Sequence, residues 1–259
     1  MKIAVCVKEV PDSGPARKID PGSKRIDRSG ERTLNPFDLN AVEAALKIRE
    51  AAGDGEVVLI SMGQPKALES IRKALAMGAD RAVLVSDDAA AGSDLVATSA
   101  VLAKAIEKEG AELVIFGQQA SDGDGAVMWA AVADRLKMPV ISQISELEVS
   151  GGNVKAKRQT EFGYDTIEAA VPAVLSVSDA VNEPRFASLK GIMGAKKKPQ
   201  DVVSLADVGV DAGEAGEAGS KTTVLNLAPP PSRGETVKVE DDGSGAQKVL
   251  EFLMERKYV

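Results

Sequence analysis

Four strand–helix pairs in succession limit the fold of this chain more than any other sequence feature. Each strand is a short run of apolar residues without polar alternation, and each helix carries its apolar residues on one face. The strands are expected at about residues 2–8, 56–62, 81–87 and 112–117, and the helices at about 35–52, 66–77, 93–109 and 124–136. Because strands that are apolar on both faces lie inside covered sheets, the pattern predicts a mostly parallel sheet with helices on both sides. Right-handed crossovers make such a sheet doubly wound, so the fold class is α/β.

Capping residues refine two of these helices. Asn35 is an expected N-cap of the first helix, with Pro36 at the first helical position and Asp38 in the first turn, where an acid favours the helix dipole. Ser93 is the candidate N-cap of the third helix.

The pattern changes after Pro139. Residues 140–149, 154–160 and 164–170 alternate apolar and polar side chains, which predicts an antiparallel extension of the sheet. Residues 171–177 form another continuous apolar run, which is typical of a buried strand.

The end of the chain is predicted to be a separate arm. Residues 222–227 are expected to add an edge strand, and the three prolines from 229 to 231 form a stiff spacer. Helical spacing resumes at 243–257. We therefore expect an α/β domain at 1–227 and a C-terminal arm at 228–259, whose helix packs either on this domain or on a partner chain.

The chain of 259 residues has no histidine and a single cysteine, Cys6. It therefore lacks the commonest metal ligand and general base, and it cannot form intrachain disulfides or cysteine-clustered metal sites. We expect a binding protein rather than an enzyme. A formal net charge of -7 disfavours nucleic-acid binding, and no apolar run reaches the ~20 residues of a membrane helix. We expect a cytoplasmic protein without direct membrane insertion.

The loop 117–127 (GQQASDGDGAV) is the most informative candidate site. It follows a buried strand and opens a helix, and Gly123 and Gly125 allow the backbone to approach a ligand closely. Amides at a helix start bind anions, which indicates a nucleotide phosphate. The alternative is that these glycines only serve tight turns. Asp122 and Asp124 would repel a phosphate, so we expect them to bind hydroxyls, cap amides or face a partner.

Three other positions lie near the carboxyl ends of predicted strands, where such sheets bind ligands. Residues 35–38 would offer an aromatic edge and backbone groups to an adenine, although a well-capped helix start explains them equally. Met62 is either a flat contact for the ligand or part of the core. Cys6 is expected to be a small buried residue rather than a reactive thiol.

Residues 183–199, which we call the docking segment, combine apolar and basic side chains. Leu189, Ile192 and Met193 lie among Lys190 and Lys196–Lys198, and Gly191 and Gly194 are expected to loosen the backbone. Apolar side chains on a flexible cationic segment predict a surface that contacts another protein.

Four segments together resemble the β subunit of an electron transfer flavoprotein: LNPFDLNAVEAALKIRE, IRKALAMGADRAVLV, LVIFGQQASDGDG and NEPRFASLKGIMGAKKK. The similarity runs from about Met1 to Asp211. The resemblance implies a flavodoxin-like, adenine nucleotide α-hydrolase-like domain that holds a structural AMP. It also implies a heterodimer whose α subunit holds most of the redox-active FAD. Such a complex carries electrons from acyl-CoA and other primary dehydrogenases, as in fatty acid oxidation, to a membrane quinone oxidoreductase.

The resemblance also assigns roles to individual residues. The family's nucleotide contacts fall on Cys6, Asn35, Pro36, Phe37, Asp38, Met62, Gly117, Gln118, Gln119, Ala120, Asp122, Gly123, Asp124, Gly125, Ala126, Val127 and Met128. The family's recognition loop corresponds to the docking segment, with Leu189 as its apolar anchor. The expected partner contacts are Arg185, Leu189, Ile192, Met193 and Lys196.

The sequence departs from the family at several of these positions. Apolar Ala126, Val127 and Met128 stand where relatives have polar residues, so phosphate binding would rest on backbone amides. A flavin-bifurcating subfamily holds a second FAD here, but its Thr-Ala-Gln-Val-Gly run is missing, which favours the non-bifurcating type. Ser13 stands where the family often has a Tyr near the flavin. Gln159 stands where it often has a Glu that forms an interdomain ion pair with the α subunit. The rival from another class is a stand-alone adenine-nucleotide-binding module of the stress-protein kind.

Overall fold

The structure is a computed structural model that describes residues 1–12, 18–229 and 238–259. Ser13 and most of the proline spacer lie outside these ranges. The chain divides into two compact units, Met1–Val224 and Leu225–Val259. None of the helices in the described ranges is long and apolar enough to cross a membrane.

Thirteen strands and seven α-helices make up the described part of the chain. The strands are β1 (Lys2–Cys6), β2 (Glu9–Pro11), β3 (Ile19–Asp20), β4 (Arg25–Ile26), β5 (Arg32–Leu34), β6 (Glu56–Met62), β7 (Arg81–Val85), β8 (Leu113–Gly117), β9 (Val140–Ser150), β10 (Asn153–Thr160), β11 (Gly163–Ala170), β12 (Ala173–Val177) and β13 (Gln200–Val203). The helices are α1 (Pro36–Ala52), α2 (Leu68–Met77), α3 (Leu95–Glu109), α4 (Met128–Leu136), α5 (Leu189–Ala195), α6 (Gly216–Gly219) and α7 (Gly245–Glu255).

Nine strands form one sheet in the order β11-β10-β9-β12-β8-β1-β6-β7-β13. In this order, every neighbouring pair between β9 and the β13 edge is parallel. At the other edge, β10 pairs antiparallel with both β9 and β11. The α/β class, the mostly parallel sheet and the antiparallel extension are thus confirmed. Continuous apolar strands produce this arrangement because both faces of the sheet are covered.

Two separate cores cover the two faces of the sheet. On one face, α1 and α2 pack Val42, Leu46 and Ile71 on alternate residues of the strands. On the other face, α3 and α4 pack Leu102, Ile106 and Val132 on the intervening residues. The sheet is therefore the middle layer of three, and α7 lies in the second unit.

Two predicted helix starts and one predicted strand were wrong. The third helix begins at Leu95, and its N-cap is Asp94 rather than Ser93, because the Asp94 carboxylate accepts from the Ala97 amide. The fourth helix begins at Met128 rather than 124, because Asp124 and Ala126 adopt φ of 47° in the preceding loop. Residues 222–227, all of them described, form no strand. The edge position is taken by β13, which pairs with β7.

The docking segment is more ordered than its composition indicates. It contains α5, whose N-cap Ser188 accepts from the Gly191 amide, and α5 packs on α2. Gly191 does not loosen the backbone: a Cβ there would lie 2.3 Å from the Ala76 carbonyl oxygen, so its small size allows the two helices to approach. Lys198 donates to the carbonyls of Leu75 and Ala79 at the end of α2, and so is not a free surface charge.

Gly191→Ala is expected to destabilise the protein by about 1–3 kcal/mol, because the new methyl group overlaps a backbone carbonyl that cannot move freely. Gly194, in the same helix, has no atom within 4 Å of its would-be Cβ. Gly194→Ala should therefore leave stability unchanged or raise it by about 0.5–1 kcal/mol. Denaturant unfolding of both variants measures the difference, and equal stability of the two would contradict the packing described here.

Candidate functional site

The order in which strands join the sheet changes direction between two neighbouring strands, β1 and β8. From β1 the chain moves through α1 to β6 on one side, and later returns through α3 to β8 on the other side. In doubly wound sheets the crevice at the carboxyl ends of two such strands is the usual ligand site. The predicted nucleotide residues come together at this edge, since the ends of β8, β1 and β6 are adjacent.

A buried polar joint lies at the start of α1. The Asn35 amide donates to Asp38 Oδ1 and to the Gln119 carbonyl, both at 2.8 Å, and its oxygen accepts from the Ser121 amide at 3.0 Å. Asp38 Oδ2 accepts from the Lys8 amide at 2.7 Å. Asn35 was expected to cap α1, and it does occupy the N-cap position, but its side chain makes no capping hydrogen bond. It ties the helix to the loop after β8, while Asp38 ties it to the chain after β1.

Gly117, the last residue of β8, is required for this joint. A Cβ at Gly117 would lie 2.6 Å from both Asp38 Oδ1 and the Phe37 carbonyl carbon. Any larger residue would push the start of α1 away from β8. This glycine therefore allows the start of α1 to pack closely against the end of β8.

Two titratable groups of the site are buried. Desolvation by burial raises the pKa of Asp38 to about 7, against the lowering effect of its bonds from Asn35 and Lys8. Burial, and then the charge of Asp38, raises the pKa of Cys6. Cys6 is a neutral, buried thiol, as the sequence predicted, and it is not activated as a nucleophile.

Asp122 is held by two cations. Its side chain is 1% exposed, and it contacts Lys8 Nζ at 2.8 Å and the Arg28 guanidinium. Burial by itself raises the pKa of Asp122, but the two cations outweigh burial and hold it below the usual value. Asp122 therefore ties the loop after β8 to the chain just after β1 and just after β4. This contact could not be predicted from local patterns, because Lys8 and Arg28 are far from Asp122 along the chain.

The outer part of the loop presents backbone amides. The amides of Gly123 and Asp124 donate to the Ala120 carbonyl, and Trp129 Nε1 donates to the Gln118 carbonyl. Within the described ranges, the amides of residues 125–129 have no acceptor. A would-be Cβ at Gly123 or Gly125 meets no atom within 4 Å. The left-handed φ of Ala126 lies inside this run, as in the anion-binding nests that successive amides form.

The remaining predicted site residues surround this loop. Pro36 is exposed, Phe37 is half-buried, and the Gln119 amide donates to Asp124 Oδ1. Met62 and Met128 are partly buried against the core on the α3–α4 face, and Val127 is exposed. Met62 therefore contributes to the core at the carboxyl end of β6.

The predicted partner residues form a separate group on the docking segment. Leu189, Ile192 and Met193 are 75%, 55% and 70% exposed, and Lys196 is exposed. Phe186 is also exposed and was not among the predicted contacts, although an aromatic residue in a basic segment is an indication of a binding surface. Arg185 differs from the others because it is engaged by Glu43 and Glu50 within the protein.

Comparisons with known proteins agree with this arrangement. The family model of the electron transfer flavoprotein domain matches residues 24–208. The chain is 40% identical over 263 residues to the electron transfer flavoprotein subunit beta of Mycobacterium tuberculosis, with 99% of both chains covered. It is 39% identical to the subunit of the same name from Megasphaera elsdenii, with 100% of both covered. It is also 41% identical to the caffeyl-CoA reductase-Etf complex subunit CarD of Acetobacterium woodii, with 90% of both covered.

The match covers the loop after β8, the joint at α1 and the docking segment alike, and it extends over the whole chain. The chain therefore belongs to the electron transfer flavoprotein family, among its β subunits.

Proposed function

We propose that this β subunit binds AMP at the crevice between β1 and β8, and that its heterodimer with an α subunit carries electrons on an FAD held mostly by that subunit. The donors are acyl-CoA and other primary dehydrogenases, and the acceptor is a quinone oxidoreductase. The docking segment is the surface that meets the dehydrogenase. The observation that carries this proposal is the exposure of Leu189, Ile192 and Met193 on a short helix fixed to the domain.

The residues at the crevice fit an adenine nucleotide. Five successive amides without an acceptor, at residues 125–129, match the oxygens of a phosphate and need no side-chain hydroxyl. Apolar side chains at Ala126–Met128 are compatible with this proposal, because the backbone amides would be the donors. AMP would have a structural role here, and FAD bound mostly by the α subunit would supply the redox chemistry.

The exposed face of α5 fits an interface anchor. A single apolar side chain that enters a partner pocket, surrounded by groups that exclude water, carries much of the binding energy in many interfaces. Lys190, Lys196 and Lys197 are exposed around it and would speed association with an acidic partner.

A second candidate is a complex in which a second FAD takes the place of AMP and the partner is a reductase. The relative named as a subunit of a caffeyl-CoA reductase-Etf complex favours the reductase partner of this candidate. Mass spectrometry of small molecules released from the purified heterodimer separates the two. We expect AMP at about one per heterodimer; two FAD per heterodimer would support the second candidate, and no nucleotide would contradict both.

Ala126→Asp is expected to lower AMP content at least about tenfold, since a carboxylate beside the free amides repels the phosphate. Ala126→Asn is the matched control: Asn and Asp both tolerate the left-handed φ of 47° at this residue, and only Asp adds a charge. Nucleotide released from the two purified heterodimers gives the result. Equal AMP content in both variants would place the phosphate elsewhere.

Leu189→Ala is expected to raise the KM of an acyl-CoA dehydrogenase for the heterodimer about tenfold or more, with FAD content unchanged, because an apolar anchor is lost. Leu189→Met keeps the volume and should retain most of the affinity. Steady-state rates at varied heterodimer concentration measure this. An unchanged KM for Leu189→Ala would refute the docking role.

A further inference from the structure

A polar stripe on α1 faces the start of the docking segment. The stripe consists of Asn40, Glu43, Lys47 and Glu50, whose spacing of three and four residues places them on one side of the helix. Asn40 is 6% exposed and Glu43 is 3% exposed. Glutamate is almost never this buried unless it is paired, so the stripe requires partners.

Asn40 and Asn182 exchange hydrogen bonds. The Asn40 amide donates to the Asn182 carbonyl at 2.8 Å, and the Asn182 amide donates to the Asn40 carbonyl at 3.0 Å. This pair fixes the backbone just before the docking segment.

Arg185 forms the second contact, with two carboxylates. Its Nε and Nη2 donate to the two oxygens of Glu43 at 2.7 and 3.1 Å. Its Nη1 and Nη2 donate to the two oxygens of Glu50 at 2.6 and 2.9 Å. The Arg185 backbone amide also donates to Glu43, at 3.2 Å.

These bonds leave little of the guanidinium for another protein. An arginine has five side-chain N–H groups, and four hydrogen bonds already go to Glu43 and Glu50. Planar, bidentate pairing on both sides also holds the side chain in one orientation. One N–H, on Nη1, is left over, so a bidentate contact with another protein would have to break at least one of these pairs.

We propose that Arg185 is a positioning residue that fixes the docking segment to α1 through Glu43 and Glu50, rather than a residue that contacts the dehydrogenase. Asn182 assists it from the preceding turn. The clamp sets where α5 presents Leu189, Ile192 and Met193. The proposal rests on the proposed docking function of that helix.

The decisive variant leaves Arg185 in place and removes the two charges that hold it. In Glu43→Gln/Glu50→Gln, a positioning role predicts that the dehydrogenase KM rises about fivefold or more, with kcat and FAD content unchanged. Arg185→Ala should give a similar rise, and the triple variant should be no worse than either. Direct contact predicts the opposite for the glutamate variant: Arg185 becomes free, and KM stays the same or falls. That outcome overturns the proposal.

A matched control removes two carboxylates from ion pairs elsewhere on the surface. Glu107 and Asp134 pair with Lys104 and Lys137 at exposed i,i+3 positions. Glu107→Gln/Asp134→Asn changes the net charge by the same amount and should leave KM unchanged. A matching rise in this control would attribute the effect to net charge and overturn the proposal.

Hydrogen exchange provides a readout that does not depend on any dehydrogenase. In the heterodimer, amides of residues 189–195 should exchange several-fold faster in Glu43→Gln/Glu50→Gln than in the wild type, and Arg185→Lys should be intermediate. Unchanged exchange in these variants overturns the clamp even if the docking role is correct. Conversely, faster exchange together with an unaffected Leu189→Ala would refute the docking role and leave the clamp intact.

Discussion

The buried joint between Asn35 and Asp38 is the contact on which the rest of the site depends. Buried polar groups are costly unless each finds a hydrogen-bond partner, and here both oxygens of Asp38 and both ends of the Asn35 amide are satisfied. Their partners belong to three separate stretches of chain: the end of β1, the start of α1 and the loop after β8. The joint therefore holds the edges of the crevice together before any ligand binds.

The sequence was sufficient to predict the sheet and the place of its crevice. Strands such as 113–117 are apolar at every position because both faces are covered, while the alternation in 140–170 shows a sheet extension with one face more exposed. Parallel strands separated by helices bring their carboxyl ends to one edge. The loops after β1, β6 and β8 could thus be placed together from local patterns alone.

Contacts between distant parts of the chain could not be predicted in this way. Asp122 resembled a group that would repel phosphate, but Lys8 and Arg28 neutralise it inside the protein. The β13 edge strand is half-exposed and has no clear pattern, whereas residues 222–227 have strand-like composition but form no strand. Local composition also gave the wrong role for Gly191. A glycine is needed there because the Ala76 carbonyl of α2 lies against it, and the sequence alone does not place that carbonyl nearby.

A docking surface of the kind proposed for α5 gains from being built on a fixed helix rather than on a flexible loop. Each side chain that becomes ordered only on binding costs about 0.5–1.5 kcal/mol, and a mobile segment must also order its backbone. Here α5 rests on α2 through Gly191, and Lys198 holds the far end through the carbonyls of Leu75 and Ala79. The Arg185 contacts hold the near end on α1. Because the backbone is held at both ends and along one face, the exposed apolar side chains can bind a partner with only their own rotamers left to order.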